Sequence, residues 1–499
     1  MPTPFAHPAR LRAFAVQHGG ARPTLERFRY LELACGLGGE LLPLAARFPE
    51  STFVGSTDAG LLAIARADVS RCGLTNLHIT TEAELDGRFD FVVTTGVYAT
   101  LSARERSDLL ATMARLLAPS GVAVIAYPTL PGARFRRFIR ESLARPLRLE
   151  MSAHEQLECV QRRLDDLARH LPEASTPHLE ALRVELAQAS LEATSRPEAL
   201  FALGGDALHV ADVILAARRQ GLEFVCDALP ATAEGDLEPE LVPRLIGEGL
   251  SRLEAEELLD LVSERPTRAS LFVPVGGRLA PEADLAPLRS VGHFAAAFAV
   301  LEPERELAAG EALSFATRTG AVVATDEPSL KAALLTLSEA WPRGLTSKEL
   351  RDAVTERLAA HGLVATKASL DAVFDDLEEL VRRRQVELLP WSPVTSDVLE
   401  ARPRLQPFAR LELARGGPLT SVRHEPVEVD PLYAAIAARL DGHHSIETIA
   451  VELGALLDAG DLALDGVPTQ PDARARFLHA LTSHAALRLS DLGLLESPT

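Results

Sequence analysis

At 499 residues the chain is too long for one hydrophobic core, and roughly two to four domains are expected from size alone. A 47 % hydrophobic content and a mean hydropathy of +0.08 read as globular, and the absence of a long uninterrupted apolar run excludes a spanning helix from the expectation. The net charge of −19 argues against nucleic acid or an anionic membrane as a general partner, and the four scattered cysteines argue against a disulfide framework or a zinc cluster.

The first residues, Met1 to Pro8, lack the basic-then-apolar layout of a signal peptide, so a soluble, cytoplasmic protein is expected. A helix at Leu11 to Gln17 precedes the apolar run Tyr30-Leu31-Glu32-Leu33-Ala34-Cys35-Gly36-Leu37-Gly38-Gly39. That run reads as a first strand entering a glycine turn, where backbone can approach a ligand that a Cβ would obstruct. A helix from Glu40 to Phe48 follows, with its N-terminus toward the same ligand. Thr52 to Asp58 is a second strand, and Asp58 stands 20 residues after Gly38, the distance at which an open α/β sheet offers a carboxylate to ribose hydroxyls.

Leu61 to Cys72 is helical, Leu77 to Thr80 and Phe89 to Thr95 are strands, Ser102 caps a helix through Leu117, and Val122 to Tyr127 is a fifth strand. Near-continuous apolar strands between amphipathic helices predict a parallel sheet covered on both faces, with ligands at the carboxyl ends of its strands. Residues 134 to 200 are helical with a break at Leu171-Pro172, and Leu157, Val160, Leu164 and Leu167 have the spacing of a buried stripe. Leu222 to Cys226 and Ala269 to Val273 are expected to return to the sheet as its antiparallel end, with the helices between them forming a lid.

Further on, Leu313 to Ala316 and Ala321 to Thr325 suggest a hairpin. Helices at Ser329–Ala340, Ser347–His361 and Lys367–Arg384 and an extended Val386 to Pro390 give a winged-helix pattern. Its third helix carries Asp371, Asp375, Asp376, Glu378 and Glu379, the wrong charge for a DNA-reading face. The last segment, from Leu405 onward, reads as a packing or dimerisation surface that would allow a homodimer, and His443-His444 has too few neighbours for a metal site.

Glu32-Leu33-Ala34-Cys35-Gly36-Leu37-Gly38 departs from the dinucleotide fingerprint and resembles the first motif of class I S-adenosylmethionine-dependent methyltransferases, with Ala34 in place of the first glycine. Blocks at Phe53-Val54-Gly55, Gly73 to Leu77, Gly96-Val97-Tyr98, Leu116 to Gly121 and Tyr127 to Gly132 resemble those of bacterial methyltransferases that carry a methyltransferase regulatory domain. That group includes protein-lysine methyltransferases acting on rickettsial outer-membrane proteins. Ala199-Leu200-Phe201 through Phe224, Arg268 to Leu271, Pro407 to Arg410 and Leu440-Asp441-Gly442 extend the resemblance over essentially the whole chain.

The resemblance implies an α/β, Rossmann-like class I methyltransferase sheet with helical insertions, followed by winged-helix-like α+β modules. It divides the chain into a cofactor-binding core at 1–145, a lid and regulatory region at 146–275, a winged-helix-like module at 276–395 and a C-terminal interaction module at 396–499. S-adenosylmethionine would be the cofactor and a protein the acceptor, with no metal, nucleic acid or membrane. Glu32 would orient the turn and the methionine amino group, with Ala34, Cys35, Gly36 and Gly38 forming the turn, and Asp58 or Thr57 holding the ribose. Thr80, Thr81 and Glu82 would lie near adenine, and Thr95, Gly96 and Val97 at the pocket mouth. Tyr98 and Tyr127 are read either as hydroxyl and ring contacts to an acceptor amine or as ordinary sheet-end packing. Pro128 replaces an asparagine of the group's pattern and bears on the acceptor. Ala34, Pro128 and a short segment before Asp58 also suit a second reading, a binding or regulatory protein that keeps the fold without turnover.

Overall fold

The structure, a computed structural model, describes residues 2–20, 23–144, 151–172, 176–195, 206–232, 237–276, 279–280, 283–301, 307, 310–395 and 399–496. Seven strands form the central sheet: β1 (Arg29–Glu32), β2 (Thr52–Ser56), β3 (Leu77–Thr80), β4 (Phe89–Thr94), β5 (Leu117–Pro128), β6 (Leu222–Asp227) and β7 (Thr267–Pro274). Their order is β3-β2-β1-β4-β5-β7-β6. The first five are parallel and β7 runs antiparallel to both neighbours, so the two expected returning strands do join the sheet. The strand order reverses between β1 and β4, which opens a crevice at their carboxyl ends.

Burial on both faces explains the unbroken apolar strands. Phe53, Phe91, Val93 and Val124 pack one face beneath α1 (Pro8–Gln17), α2 (Leu41–Arg47) and α3 (Ala59–Arg71). Leu31, Val92, Ala123 and Ile125 pack the other beneath α4 (Ala103–Leu116). Ser102 and Glu105 form the reciprocal cap that the sequence predicts for α4. α3 starts two residues before the expected Leu61 because Asp58, with extended backbone, takes the N-cap position.

After β5 come α5 (Ala133–Ala144), α6 (Ala153–His170) and α7 (Pro177–Ser195), which share a small core of their own around Ile139, Leu143, Val160, Leu164 and Leu186. The expected stripe on α6 is shorter than its spacing suggests: Val160 and Leu164 are buried, whereas Leu167 is 42 % exposed. The block at Ala199-Leu200-Phe201 lies outside the described residues. α8 (Val210–Arg219) then leads into β6, and α9 (Glu238–Gly247) and α10 (Arg252–Ser263) connect β6 to β7.

The hairpin expected at 313–325 is present and gains a third strand, Phe298–Val300. The three helices expected next are Pro328–Ala340, Ser347–Ala360 and Lys367–Arg382, packed with a three-stranded sheet of His293–Ala295, Leu345–Thr346 and Glu387–Leu389. The final segment contains helices Pro407–Ala414, Pro431–Ala437, Ile446–Ala459 and Pro471–Asp491. It is not merely appended, since Leu405, Phe408, Leu419 and Leu453 belong to the same continuous core as Leu41, Phe48 and Phe53.

Candidate functional site

The parallel register brings the candidate residues to one level. Glu32 lies opposite Gly55 and Val93, Ser56 opposite Thr80, and Thr94 opposite Ile125, so the segments after β1, β2, β3, β4 and β5 all emerge along one rim. The glycine turn folds down on β2, where the Cys35 N–H donates to the Ser56 carbonyl at 2.8 Å. A Cβ on Gly55 would stand 2.6 Å from the Cys35 sulfur and 2.7 Å from Leu41, so glycine at this strand position is what admits the turn.

Gly36 and Gly38 take φ of +57° and +76°, the left-handed region. Ala34 takes +56° as well, which is why the motif favours glycine there and why alanine carries strain. Burial pushes the thiol of Cys35 up to about 12, so it is not a thiolate nucleophile.

Polar groups without partners collect on the rim. The Glu32 Oε2, Thr57 Oγ1 and Thr94 Oγ1 atoms are buried and accept or donate no hydrogen bond, although buried side chains ordinarily find one. Burial, with the charge of Glu40 adding to it, holds the Glu32 carboxyl well above the usual carboxylate range. An amino group placed beside Glu32 would supply both the missing donor and a charge that favours ionisation. Beside these, Asp58 is exposed and makes no side-chain capping bond to α3. Nothing lies within 4 Å of a Cβ built on Gly36 or Gly96, which leaves room beside the backbone. These features fit a cofactor with an amino acid portion at β1, hydroxyls at β2 and a reactive end toward β4. Thr80 and Thr81 are half-buried and Glu82 is exposed, while the Thr80 hydroxyl bonds Glu84.

Beside Thr95 and Gly96 opens a cavity of about 190 Å³, walled by Tyr127, Pro128, Ala133, Thr267 and the arginines of α5. Tyr127 is 1 % exposed and its hydroxyl shares a hydrogen bond with Ser270 at 2.9 Å. Ser270 in turn lies 3.4 Å from Asp227, a fully buried carboxylate near Arg265 and Arg268. Burial raises the Tyr127 hydroxyl above its ordinary value, so it stays a neutral phenol. Tyr98 packs its ring 6.1 Å from that of Tyr127 and does not line the cavity. Val97 precedes the turn that carries Tyr98. Of the two tyrosines, then, the structure brings only Tyr127 to the cavity wall.

Sequence reasoning missed the support beneath the turn. Glu40 is buried and accepts from the Thr3 N–H at 2.9 Å, the Thr3 hydroxyl at 3.1 Å and His424 Nε2 at 2.7 Å. Burial opposes ionisation of Glu40, but the His424 hydrogen bond and the Thr3 donors hold its carboxyl below the ordinary value. Burial keeps His424 neutral. Glu40 follows the glycines directly, yet nothing local signals that its partners lie 37 and 384 residues away.

Two family profiles match the chain: Methyltransferase domain over residues 31–123, and PKMT, C-terminal winged helix domain over residues 401–494. Uncharacterized protein RP028 of Rickettsia prowazekii is 31% identical over 192 residues, which are 37% of this chain and 77% of that protein. The chain belongs to this family of methyltransferases. By family it is an S-adenosylmethionine-dependent methyltransferase.

A second relative of the methyltransferase, uncharacterized protein RP789 of the same organism, is 24% identical over 489 residues, 93% of this chain and 85% of that protein. PKMT2 from Rickettsia typhi shares the fold with a TM-score of 0.82 at 19% identity, covering 99% of both chains. Its structure in complex with AdoHcy gives the same TM-score at 20% identity, over 99% of this chain and 98% of that one. The family's winged helix thus falls on 401–494, the segment expected only as an interaction module, while the three-helix unit at 328–382 is a further module before it. No helix among the described residues is long and apolar enough to cross a membrane, and no group of metal-ligating side chains is found among them.

Proposed function

We propose that this methyltransferase transfers methyl groups to lysine side chains of a protein acceptor in the cytoplasm. The observation that carries the acceptor is the size and place of the cavity at Thr95, Gly96 and Tyr127. At about 190 Å³ it is smaller than the roughly 300–1,000 Å³ of ordinary small-molecule sites, and it suits one extended side chain reaching in from outside. The naming of the Rickettsia typhi fold relative as PKMT2, and its complex with AdoHcy, support the same reading.

In this reading Glu32 holds the cofactor's amino group, the turn from Ala34 to Gly38 lies along it, and Thr57 and Asp58 take the ribose hydroxyls. Thr80, Thr81 and Glu82 flank the base, and Thr95, Gly96 and Val97 form the edge shared with the acceptor. Residues 1–145 form the cofactor core, 146–275 the lid, and 276–395 and 396–499 the acceptor-selecting modules. The cofactor supplies an electrophilic methyl group on a sulfonium. The protein's part is positioning in a water-poor site. A lysine amine, with an ordinary pKa of about 10.4, must enter neutral. Desolvation by Ala99, Ala126 and Pro128 and the positive charge on α5 both favour loss of its proton to solvent at the mouth. Tyr127 forms part of one wall, its hydroxyl fixed by the bond to Ser270.

The test is calorimetry with S-adenosylmethionine, followed by mass spectrometry of candidate proteins incubated with isotopically labelled cofactor. Binding is expected, together with labelled methyl groups on lysines. Gly36→Val, which forces a β-branched residue to φ +57°, is expected to abolish binding. Methyl groups found only on other acceptors would overturn the lysine assignment.

A further inference from the structure

A second cavity, of about 740 Å³, opens between α1, the segment that follows β6 and the three-helix module at 328–382. Among the described residues it shares no wall residue with the cavity beside Thr95 and Gly96, and it includes none of the glycine turn. Its volume falls in the ordinary range of small-molecule sites, roughly 300–1,000 Å³. Most of its wall is apolar, with the rings of Phe5, Phe14 and Trp341 among the side chains that line it.

The charged side chains on this wall already have partners. Arg10 donates to Glu387 and Glu425, and Arg318 donates to Glu425. Arg382 pairs with Glu378 and Glu379, and Arg384 donates to the Asp227 carbonyl. Two of these guanidiniums also lie against the wall's rings, Arg384 at 4.6 Å from the Phe14 centroid and Arg318 at 5.6 Å from that of Trp341. A cationic guest would meet these guanidiniums, and an anionic one would have to break a pair to gain a counter-ion.

Two neutral groups on the same wall do have unused hydrogen-bonding capacity. Gln17, the last residue of α1, is 9 % exposed, and its carboxamide has no hydrogen bond among the described residues. His18, which follows it, is 7 % exposed and holds the Ala280 carbonyl through Nδ1 at 3.0 Å. A carbonyl only accepts, so Nδ1 carries the proton and Nε2 is left as a bare acceptor, with no partner among the described residues. Burial brings this imidazole down to about 4, so it is neutral in the ordinary pH range. Side chains buried to this extent ordinarily find partners, and here the cavity is the place left for one.

We propose that this cavity is a second ligand site, separate from the methyl-transfer site, for a small uncharged aromatic molecule bearing an amide or lactam edge. The N–H of that edge donates to His18 Nε2, the Gln17 carboxamide pairs with its remaining polar atoms, and the aromatic body lies among Phe5, Phe14 and Trp341.

The test is calorimetry on the full-length protein with three probes of one shape: indole-3-carboxamide, indole-3-carboxylate and tryptamine. The neutral amide is expected to bind with Kd below about 1 mM and at least about tenfold more tightly than either charged probe. Saturating S-adenosylmethionine is expected to leave its binding in place. Gln17→Leu and His18→Asn are each expected to weaken it about tenfold, the worth of one buried hydrogen bond. The asparagine amide can keep the bond to Ala280 while the acceptor is lost, and unchanged cofactor affinity in both variants shows that the loss is read on folded protein. No binding of the amide, equal or tighter binding of a charged probe, displacement by S-adenosylmethionine, or an affinity that both variants leave intact would each overturn the proposal. None of these outcomes bears on the lysine reading, which is tested on acceptor proteins.

Discussion

Ala34 shows how a single side chain bears on the cofactor turn. A left-handed conformation costs a residue with a Cβ about 1–2 kcal/mol, and glycine's freer unfolded chain takes back about 0.4–1 kcal/mol of what removing the Cβ would gain. Ala34→Gly is therefore expected to stabilise the protein by about 0.5–1 kcal/mol in denaturant unfolding. Unchanged or lower stability would mean that the strain at φ +56° is relieved elsewhere. The motif Glu32 to Gly38 was legible because glycines and an acidic residue at that spacing have a local reason to be there. Tyr127 and Tyr98 were not separable in the sequence. Tyr98 sits in the turn after β4 and Tyr127 near the end of β5, and only packing decides that Tyr127 lines the cavity while Tyr98 does not.

Among elements, the helix Pro407–Ala414 illustrates how the C-terminal segment is fastened to the cofactor core. Arg47 of α2 donates to the Thr420 carbonyl at 2.7 Å, and its guanidinium lies 5.0 Å from the Phe408 ring. Between them Glu412 accepts from the Thr420 N–H at 2.9 Å and from its hydroxyl. Burial raises the Glu412 carboxyl to about 7, against an ordinary value of 4.5. The folded state therefore holds this proton more tightly than the unfolded chain. Its contribution is fully present below about pH 4.5 and is lost as pH rises through about 7, at most about 3 kcal/mol. Glu412→Gln, which keeps a neutral group at this site, is expected to be more stable than the parent at pH 8 and to flatten the decline of Tm between pH 5 and 8. Parallel pH profiles for the two proteins would refute the assignment. The helices here were predictable from apolar periodicity, but their fusion with the first core was not, because periodicity marks a buried face and not what buries it.

For the whole molecule, the N-terminal helix acts as a keystone between parts far apart in the chain. Arg10 of α1 donates to Glu387 at 2.6 Å and to Glu425 at 2.9 Å, Arg423 pairs with Glu387, and Arg318 reaches Glu425 at 2.6 Å. Burial opposes the charge on Arg10, but the two carboxylates keep its guanidinium firmly protonated. Removing one member of a buried network strands the others, so Arg10→Ala is expected to cost about 3–5 kcal/mol, seen as a lower Tm. The exposed Arg137→Gln should stay within about 1 kcal/mol of the parent. Equal, small effects would show that the cluster is solvated in solution.

The sequence by itself determined the alternation of strands and helices, the glycine turn and the motif that points to the cofactor, because each is written in residues that neighbour one another along the chain. Only the tertiary structure decided that Thr3 and His424 brace Glu40, that Arg10 ties 387 to 425, and that arginines of α5 wall the cavity beside Thr95 and Gly96. Local pattern reflects short-range sterics and burial, whereas hydrogen bonds and charge pairs across hundreds of residues exist only once the cores have closed.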